Sequence, residues 1–293
     1  MQHGPAVRRR KLGAELRALR TGAGLTSGEA ARLVGWHQSK VSRIETGASG
    51  VKPADVRLLL DAYEVHDGQL RELLLVLAGS DEAGAGRHHW WHAYRGVLPP
   101  TYRDFISLES QASAMRTLEI SVVPGLLQTP EYARAVTRAA VGGLDGLDGE
   151  RDERLDALVE VRLARQDVLR ADPPLELAAV LDEGVLRREI GGPEVMARQL
   201  RRLIEAARLP QVRLQVLPFA AGAHIGITGP FVIFSFSRTS DLDVVVLDHL
   251  TSSLYLERKE DLRAYTEAFN TLQIHALSPE DSLDYIAGIG DGA

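Results

Sequence analysis

The chain has 293 residues, of which 45% are hydrophobic and 25% charged, and it contains no cysteine. This length and composition suit about two domains of an ordinary globular protein. The lack of cysteine excludes disulfides, thiolate zinc sites and cysteine nucleophiles. No apolar run approaches the roughly 18 residues of a membrane span. These properties favour a cytoplasmic protein with no membrane segment.

The net charge of −6 is unevenly distributed along the chain. Residues 1–57 hold eleven Lys and Arg against four Asp and Glu, a charge of +7, which leaves −13 on the other 236 residues. The bases include Arg8, Arg9, Arg10 and Lys11, and no apolar segment of a secretory signal follows them. Such asymmetry suggests a polyanion as partner of the N-terminal part alone. Chance clustering on a solvated face is the alternative.

Apolar spacing predicts five short helices over residues 8–78. A capping-box pattern, Thr26 to Glu29, opens the second, and Pro53 suits the first turn of the fourth. Gly35 and Gly47 are expected to end the second and third helices, because glycine adopts the left-handed cap conformation. The predicted apolar positions are Leu12, Leu16, Leu19; Ala30, Leu33, Val34; Val41, Ile44; Val56, Leu59, Leu60, Tyr63; and Leu70, Leu73, Leu74, Leu77.

The second and third helices have the pattern of a helix-turn-helix that binds DNA. A helix fits the major groove of B-DNA, where glutamine can bond adenine and arginine can bond guanine. With Val41 and Ile44 inward, the third helix, about 38–46, exposes a set of polar residues for this contact. They are Gln38, Ser39, Lys40, Ser42 and Arg43. A helical bundle that binds protein is the alternative.

This segment resembles the Xre-type, phage-repressor-like helix-turn-helix family over about 12–63. The matching residues are Leu25-Thr26, Ala30-Ala31, Gln38 to Gly47, and Pro53. The resemblance implies a five-helix all-α domain and assigns Gln38, Ser39, Lys40 and Arg43 to bases or nearby phosphates. It also implies that Glu45 is structural and pairs with an arginine of the first helix, such as Arg17. Many members have glutamine where this chain has Ser27, which can still bond a phosphate.

Residues 79–86 are small, polar and flexible in type, and we predict a linker there. The remainder alternates in type, which predicts a mixed α/β domain with about five strands. Helices are expected at about 101–119, 130–140, 150–170, around 196–207, at 259–275 and at 278–287. Strands are expected at 177–181, 212–217, 231–236, 244–247 and 254–256.

Residues of about 90–285 resemble the uncharacterised domain that commonly follows such a DNA-binding domain in actinobacterial regulators. The segment Val123 to Ala133 carries the clearest likeness. Further agreement comes from Trp90, Trp91, Tyr94, Arg162, Arg165, Gln166, Gln215 to Pro218, and Gly229 to Phe231. The resemblance implies a regulator and names no ligand.

The C-terminal part holds no nucleophile–base signature, and we predict no enzyme, cofactor or metal site. His88, His89 and His92 include an i, i+4 pair of the kind that holds a metal, but no carboxylate motif accompanies them. Asp182-Glu183 follows a strand and is either a general acid/base pair or a helix cap, of which we favour the cap.

Four residues are candidates for a ligand site. Trp90, Trp91 and Tyr94 are aromatic residues near the domain boundary, which either line a pocket or, more commonly, pack. His224 lies in the glycine-bearing loop 222–226, which lacks nucleotide-binding spacing and is either a turn or a ligand loop.

Together these features predict a cytoplasmic, multidomain transcriptional regulator that binds double-stranded DNA. Residues 1–78 form the helix-turn-helix domain, 79–89 a linker and 90–293 an α/β domain. The C-terminal domain is expected to form a homodimer and to sense a small-molecule effector or a small protein partner. An antitoxin-like or anti-regulator protein that acts through protein contacts is the first alternative, and an enzyme with a DNA-targeting domain is the second.

Overall fold

The structure, a computed structural model, describes residues 4–78, 91, 94, 96–141, 148–236, 243–249 and 252–291. Side chains of the first helix are described from Leu12 onward. The predicted linker 79–89, and Trp90, His88, His89 and His92, lie outside these residues. No helix in the described ranges is both long and apolar enough to cross a membrane.

The N-terminal domain is all-α, as predicted, with five helices in its described part. They are α1 (Gly4–Gly22), α2 (Ser27–Leu33), α3 (Gln38–Glu45), α4 (Pro53–Ala62) and α5 (Gly68–Leu77). The capping box at Thr26 is complete, and Pro53 occupies the first turn of α4. Gly35 has φ +68°, the left-handed conformation that lets the chain turn between α2 and α3.

The predicted apolar stripes form the core of this domain with one exception. Leu12, Leu16, Val41 and Ile44 are buried where α1 meets α3. Leu33, predicted on the apolar side of α2, is 62% exposed, because at 100° per residue it points away from Ala31, whose side of the helix is buried.

The C-terminal domain is α/β with a six-stranded sheet. Its strands are β1 (Ala114–Glu119), β2 (Glu176–Asp182), β3 (Val212–Leu217), β4 (Phe231–Ser235), β5 (Val244–Asp248) and β6 (Ser253–Leu256). Its helices are α6 (Pro100–Gln111), α7 (Pro130–Val141), α8 (Asp148–Ala164), α9 (Glu183–Arg187), α10 (Pro193–Ala206), α11 (Lys259–His275) and α12 (Pro279–Asp291). Short 3-10 turns complete the fold.

The order of strands in the sheet is β3-β2-β1-β4-β5-β6. The first three strands in sequence are parallel, and each later pairing is antiparallel. One face packs against α11 through residues such as Leu118, Val180 and Phe269. The other face, with residues such as Met115 and Leu181, belongs to one apolar cluster with residues of α6, α7, α9, α10 and α12. Helices therefore cover both faces, which explains the near-continuous apolar runs of β2 and β3.

The prediction of one helix over 101–119 is wrong at its C-terminal end. The helix stops at Gln111, and residues Ala114–Glu119 form the central strand β1, so the sheet has six strands and not five. The segment contains Ala, Met, Leu and Glu, which are good helix formers. Its pairing with both β2 and β4 overrides that propensity.

Candidate nucleic-acid interface and the carboxyl edge of the sheet

Helix α3 presents two different faces. Val41, Ile44 and Glu45 are buried against the domain core. The polar residues predicted to contact DNA, Gln38, Ser39, Lys40, Ser42 and Arg43, are all exposed. The sequence therefore places its polar residues on a single surface that is open to a partner.

A buried ion pair fixes the orientation of α3. Arg20 donates from Nε to Oε1 of Glu45 (2.7 Å) and from Nη2 to Oε2 (2.9 Å), and it also bonds the carbonyl of Leu25 (2.5 Å). Glu45 is structural, as the family resemblance implies, but its partner is Arg20. The suggestion of Arg17 is wrong, because Arg17 lies on the exposed side of α1. Bidentate pairing locks both distance and angle between α1 and α3.

The backbones of α1 and α3 approach closely at Gly13. A Cβ atom at this position would lie 2.3 Å from the carbonyl oxygen of Ile44 and 2.7 Å from that of Glu45. Only glycine fits, since both neighbours are backbone atoms that cannot move without displacing α3. Gly13 and Arg20 together hold α3, and neither belongs to the apolar stripe predicted for α1.

The N-terminus of α3 is organised by side-chain hydrogen bonds. His37 caps the helix by accepting from the backbone N–H of Ser39 (3.3 Å). The amide of Gln38 donates to the hydroxyl of Ser27 at the start of α2 (3.0 Å). This bond joins the beginnings of the two helices, so Ser27 orients Gln38 at the exposed surface.

The basic residues predicted to bind DNA differ in the ion pairs and ring contacts that they make within the protein. The ammonium of Lys40 lies 3.0 Å from Oδ2 of Asp55 and 3.5 Å above the ring of Trp36. Arg43 is exposed and forms no ion pair with any residue that the structure describes. The side chains of residues 8–11 lie outside the described part of the chain. Of the two basic residues of α3, Arg43 is therefore the one whose side chain is free of an ion pair in the described structure.

In the C-terminal domain, the segment after β1 is held by buried amides. Gln199 of α10 accepts from the N–H of Thr129 (2.8 Å) and donates to the carbonyl of Leu127 (2.8 Å). Gln166 donates to the carbonyl of Gln128 (2.8 Å). The N–H of Val123 donates to the hydroxyl of Tyr132 (3.0 Å). These hydrogen bonds hold segment 123–133, which follows the carboxyl end of β1 and carries the clearest family likeness.

A second buried ion pair of the protein lies next to this segment. Arg165 donates from Nε and Nη2 to the carboxylate of Glu109 on α6 (2.7 and 2.6 Å) and from Nη1 to the hydroxyl of Tyr102 (2.7 Å). Both charged side chains are almost fully buried. The pair joins the 3-10 turn that follows α8 to α6.

Two further ionisable residues, Glu119 and Arg162, have no ion-pair partner among the described residues. Glu119, the last residue of β1, accepts a hydrogen bond from Thr117 (3.1 Å). Burial raises its pKa to about 7, the nearby Asp248 adds to that rise, and Arg162 and Arg165 oppose it. Arg162 of α8 donates from Nη1 to Gln128 (3.2 Å), and burial lowers its pKa.

The described ligand-site candidates are Trp91 and Tyr94, which share one apolar cluster, and His224. Trp91 is buried among Leu98, Ile106 and Val161, which is a packing environment. The hydroxyl of Tyr94 donates to Glu160 (2.9 Å). His224 is half-buried on the β3–β4 connection, and its Nδ1 has no hydrogen-bond partner among the described residues. The structure therefore brings Trp91 and Tyr94 together by packing, and His224 does not belong to their cluster.

Asp182 and Glu183 have structural roles at the end of β2. Asp182 caps α9 by accepting from the N–H of Gly184 (2.8 Å). Glu183 is buried, accepts from the N–H of Phe219 (2.7 Å) and pairs with Arg187. These contacts match the expected cap. In the described ranges, no three His, Asp or Glu side chains are grouped to hold a metal ion.

Comparison with known proteins finds two family matches, one in the N-terminal part and one in the C-terminal part of the chain. Residues 11–74 match the family described as Helix-turn-helix domain. Residues 102–288 match the family described as Domain of unknown function (DUF5753), which covers more than half of the chain, and the chain belongs to that family. No curated protein and no solved structure matches. With its helix-turn-helix domain, the protein is a DNA-binding regulator of transcription.

Proposed function

We propose that the protein is a sequence-specific transcriptional regulator of the Xre type whose operator is contacted by α3. The observation that carries the proposal is the exposed row Gln38 to Arg43 on a helix held rigidly from behind by Gly13 and the Arg20–Glu45 pair. Rigid presentation matters because base contacts tolerate little error in helix position. The protein acts in the cytoplasm.

The proposed contacts divide into two kinds. Gln38 and Arg43 bond base edges, and Ser27, Ser39, Lys40 and Ser42 bond phosphates or flanking bases. Lys40 must share its charge with Asp55 and Trp36, so its contribution is mainly to position the domain. Arg8, Arg9, Arg10 and Lys11 add sequence-independent phosphate attraction, which should fall steeply with salt.

The C-terminal domain is proposed to form the homodimer and to sense an effector or a small protein partner. Dimers of helix-turn-helix proteins place their recognition helices about one DNA turn apart. Apolar side chains of the β3–β4 connection are available for subunit contact: Phe219 is 61% exposed and Ile227 is 74% exposed. The same surface favours the second candidate function, an antitoxin-like or anti-regulator protein that acts through protein contacts.

The test begins with selection of bound sequences from a random DNA library by the full-length protein. Arg43→Ala should then weaken binding to the selected site by about 1–3 kcal/mol and relax the preference at one base pair. Gln38→Ala should do the same at another position. Arg201→Ala, which removes an exposed arginine of α10, is the matched control and should leave affinity unchanged.

Two results would contradict the proposal. The first is a preferred sequence that stays unchanged in both α3 variants. The second is the absence of any preferred sequence together with a stable complex between this protein and a small protein, which would favour the second candidate function. The salt dependence of binding is measured in parallel, because affinity without it has no clear meaning.

A further inference from the structure

Lys40 of α3 is held from two sides. Its ammonium lies 3.0 Å from Oδ2 of Asp55, in the first turn of α4, and 3.5 Å above the ring of Trp36, between α2 and α3. The Lys40 side chain nevertheless remains 44% exposed. The ammonium therefore has a defined place beside the exposed row Gln38 to Arg43, and one of the two groups that hold it is an anion.

Asp55 has a second source of stabilisation, which is the N-terminus of its own helix. It is the acidic residue of the first turn of α4, where the partial positive charge of the helix end favours a carboxylate. The N-cap residue, Lys52, provides no side-chain hydrogen bond to this turn. The Asp55 side chain is 24% exposed, and its one ion pair in the described part of the chain is with Lys40. Asp55 therefore stays favourable at this place when Lys40 is engaged elsewhere.

Asp55 differs in its surroundings from two other acidic residues of the basic segment 1–57. Glu45 is buried against Arg20 on the core side of α3, and Glu29 completes the capping box of α2. Asp55 instead pairs with a member of the exposed row. Its carboxylate resembles a DNA phosphate in its negative charge and in the oxygen atoms that it offers to an ammonium.

A DNA phosphate and Asp55 would compete for the same ammonium. The sequence-independent part of DNA affinity comes from lysine and arginine side chains that neutralise phosphates. A phosphate that reaches Lys40 must either replace the carboxylate or lie close to it, and two anions close together repel each other. In both cases Asp55 reduces the gain in affinity that Lys40 provides. Trp36 does not compete in this way, because its ring carries no net charge.

We propose that Asp55 lowers the affinity of the N-terminal domain for DNA, because its carboxylate competes with a phosphate for Lys40. Lys40 is transferred from the carboxylate to the phosphate when DNA binds. The effect applies to DNA of any sequence, whereas the base preference depends on Gln38 and Arg43 and is not changed by Asp55. This inference rests on the proposed contact of α3 with DNA.

The test measures binding of the full-length protein to two duplexes of equal length, the selected site and an unrelated sequence, between about 50 and 200 mM salt. Asp55→Asn should bind both duplexes about two- to fivefold more tightly, the size expected when an exposed ion pair no longer has to be broken. The base preference found by library selection should stay the same. Asp55→Ser provides the same measurement if the asparagine variant does not fold.

Two further variants assign the gain to Lys40. Lys40→Gln should weaken binding to both duplexes and reduce the slope of log affinity against log salt by about one. In that background Asp55→Asn should have no effect, because the ammonium for which Asp55 competes is absent. Glu64→Gln is the matched control, because it removes an exposed acidic residue just beyond the other end of α4 with the same change in net charge. It should change affinity less than Asp55→Asn does.

Three results would overturn the proposal. The first is an unchanged affinity in Asp55→Asn, and an effect on thermal unfolding alone would then assign Asp55 to the helix end. The second is a gain that persists in the Lys40→Gln background, and the third is an equal gain in Glu64→Gln. The proposed function fails separately, through an unchanged base preference in the α3 variants, and the unrelated duplex alone then still tests Asp55. A parent chain that binds neither duplex would overturn both.

Discussion

The two domains each contain a buried bidentate Arg–Glu pair, but the pairs differ in the elements that they join. In the N-terminal domain Arg20–Glu45 fixes a helix whose other face is exposed to a partner. In the C-terminal domain Arg165–Glu109 joins α6 to the 3-10 turn that follows α8, one turn from Arg162. The N-terminal pair thus supports an exposed surface, and the C-terminal pair joins two elements in the interior of its domain.

The comparison separates structural from functional arginines. A buried arginine with a bidentate carboxylate is complete and has no capacity for a further anion. Arg162 is half-buried and has no carboxylate partner among the described residues, where its side chain bonds Gln128. The lack of a carboxylate partner in the described structure therefore distinguishes Arg162 from Arg20 and Arg165.

Removing one member of either pair should have the largest effect. Glu45→Ala and Glu109→Ala each leave a buried arginine unpaired, which costs about 3–5 kcal/mol. Amide hydrogen exchange should rise mainly in α1 to α3 for the first variant and mainly around α6 and α8 for the second. Glu267→Ala removes the exposed pair with Arg263 and should change stability far less than either variant. Equal exchange across both domains in either variant would show that the pairs do not act locally.

Glu119 should give a smaller, pH-dependent effect. Its pKa in the folded protein is about 7, above its ordinary value of 4.5, so the folded state holds a proton that the unfolded state releases between these values. Stability is therefore lost as pH rises from about 4.5 to 7. Glu119→Gln should raise the free energy of unfolding by about 2 kcal/mol at pH 8 and leave it nearly unchanged at pH 4. The same gain at both pH values, measured by urea unfolding, would exclude a buried ionisable carboxyl.

The helix caps should give the smallest effects and offer one cap in each domain. Thr26 accepts from the N–H of Glu29 (3.2 Å), and Asp182 accepts from that of Gly184 (2.8 Å). Thr26→Ala and Asp182→Ala should each cost about 1 kcal/mol, and Thr26→Ser should cost less. If Thr26→Ala weakens operator binding with no loss of stability, Thr26 contacts DNA itself and the interface extends to α2.

The N-terminal domain was predictable from sequence because its determinants are local. The capping box, the Gly35 turn and the stripe of Val41 and Ile44 each depend on residues within a few positions of one another. The partner of Glu45 was not predictable in the same way. Arg17 and Arg20 both lie on α1, and only the packing of α1 across α3 decides which of them turns inward.

The C-terminal domain was predictable in class and less so in its site. Strand β1 is central, and its pairing with β2 and β4 comes from residues 60 to more than 100 positions away, which no local pattern contains. Glu119 ends this strand, and its surroundings are set by the same distant pairings. Arg162 was part of the family likeness, whereas nothing in the sequence around Glu119 marked it.

The division of α3 into an anchored and an open face also bears on how such proteins diversify. The anchored face depends on Gly13, Arg20, Val41, Ile44 and Glu45, none of which faces the proposed DNA surface. Positions 42 and 43 can then change at little cost to the scaffold, whereas Gln38 bonds Ser27 and Ser39 takes part in the His37 cap. New operator preferences are accessible by single substitutions, so duplicated copies of such a gene can acquire separate targets while retaining one fold.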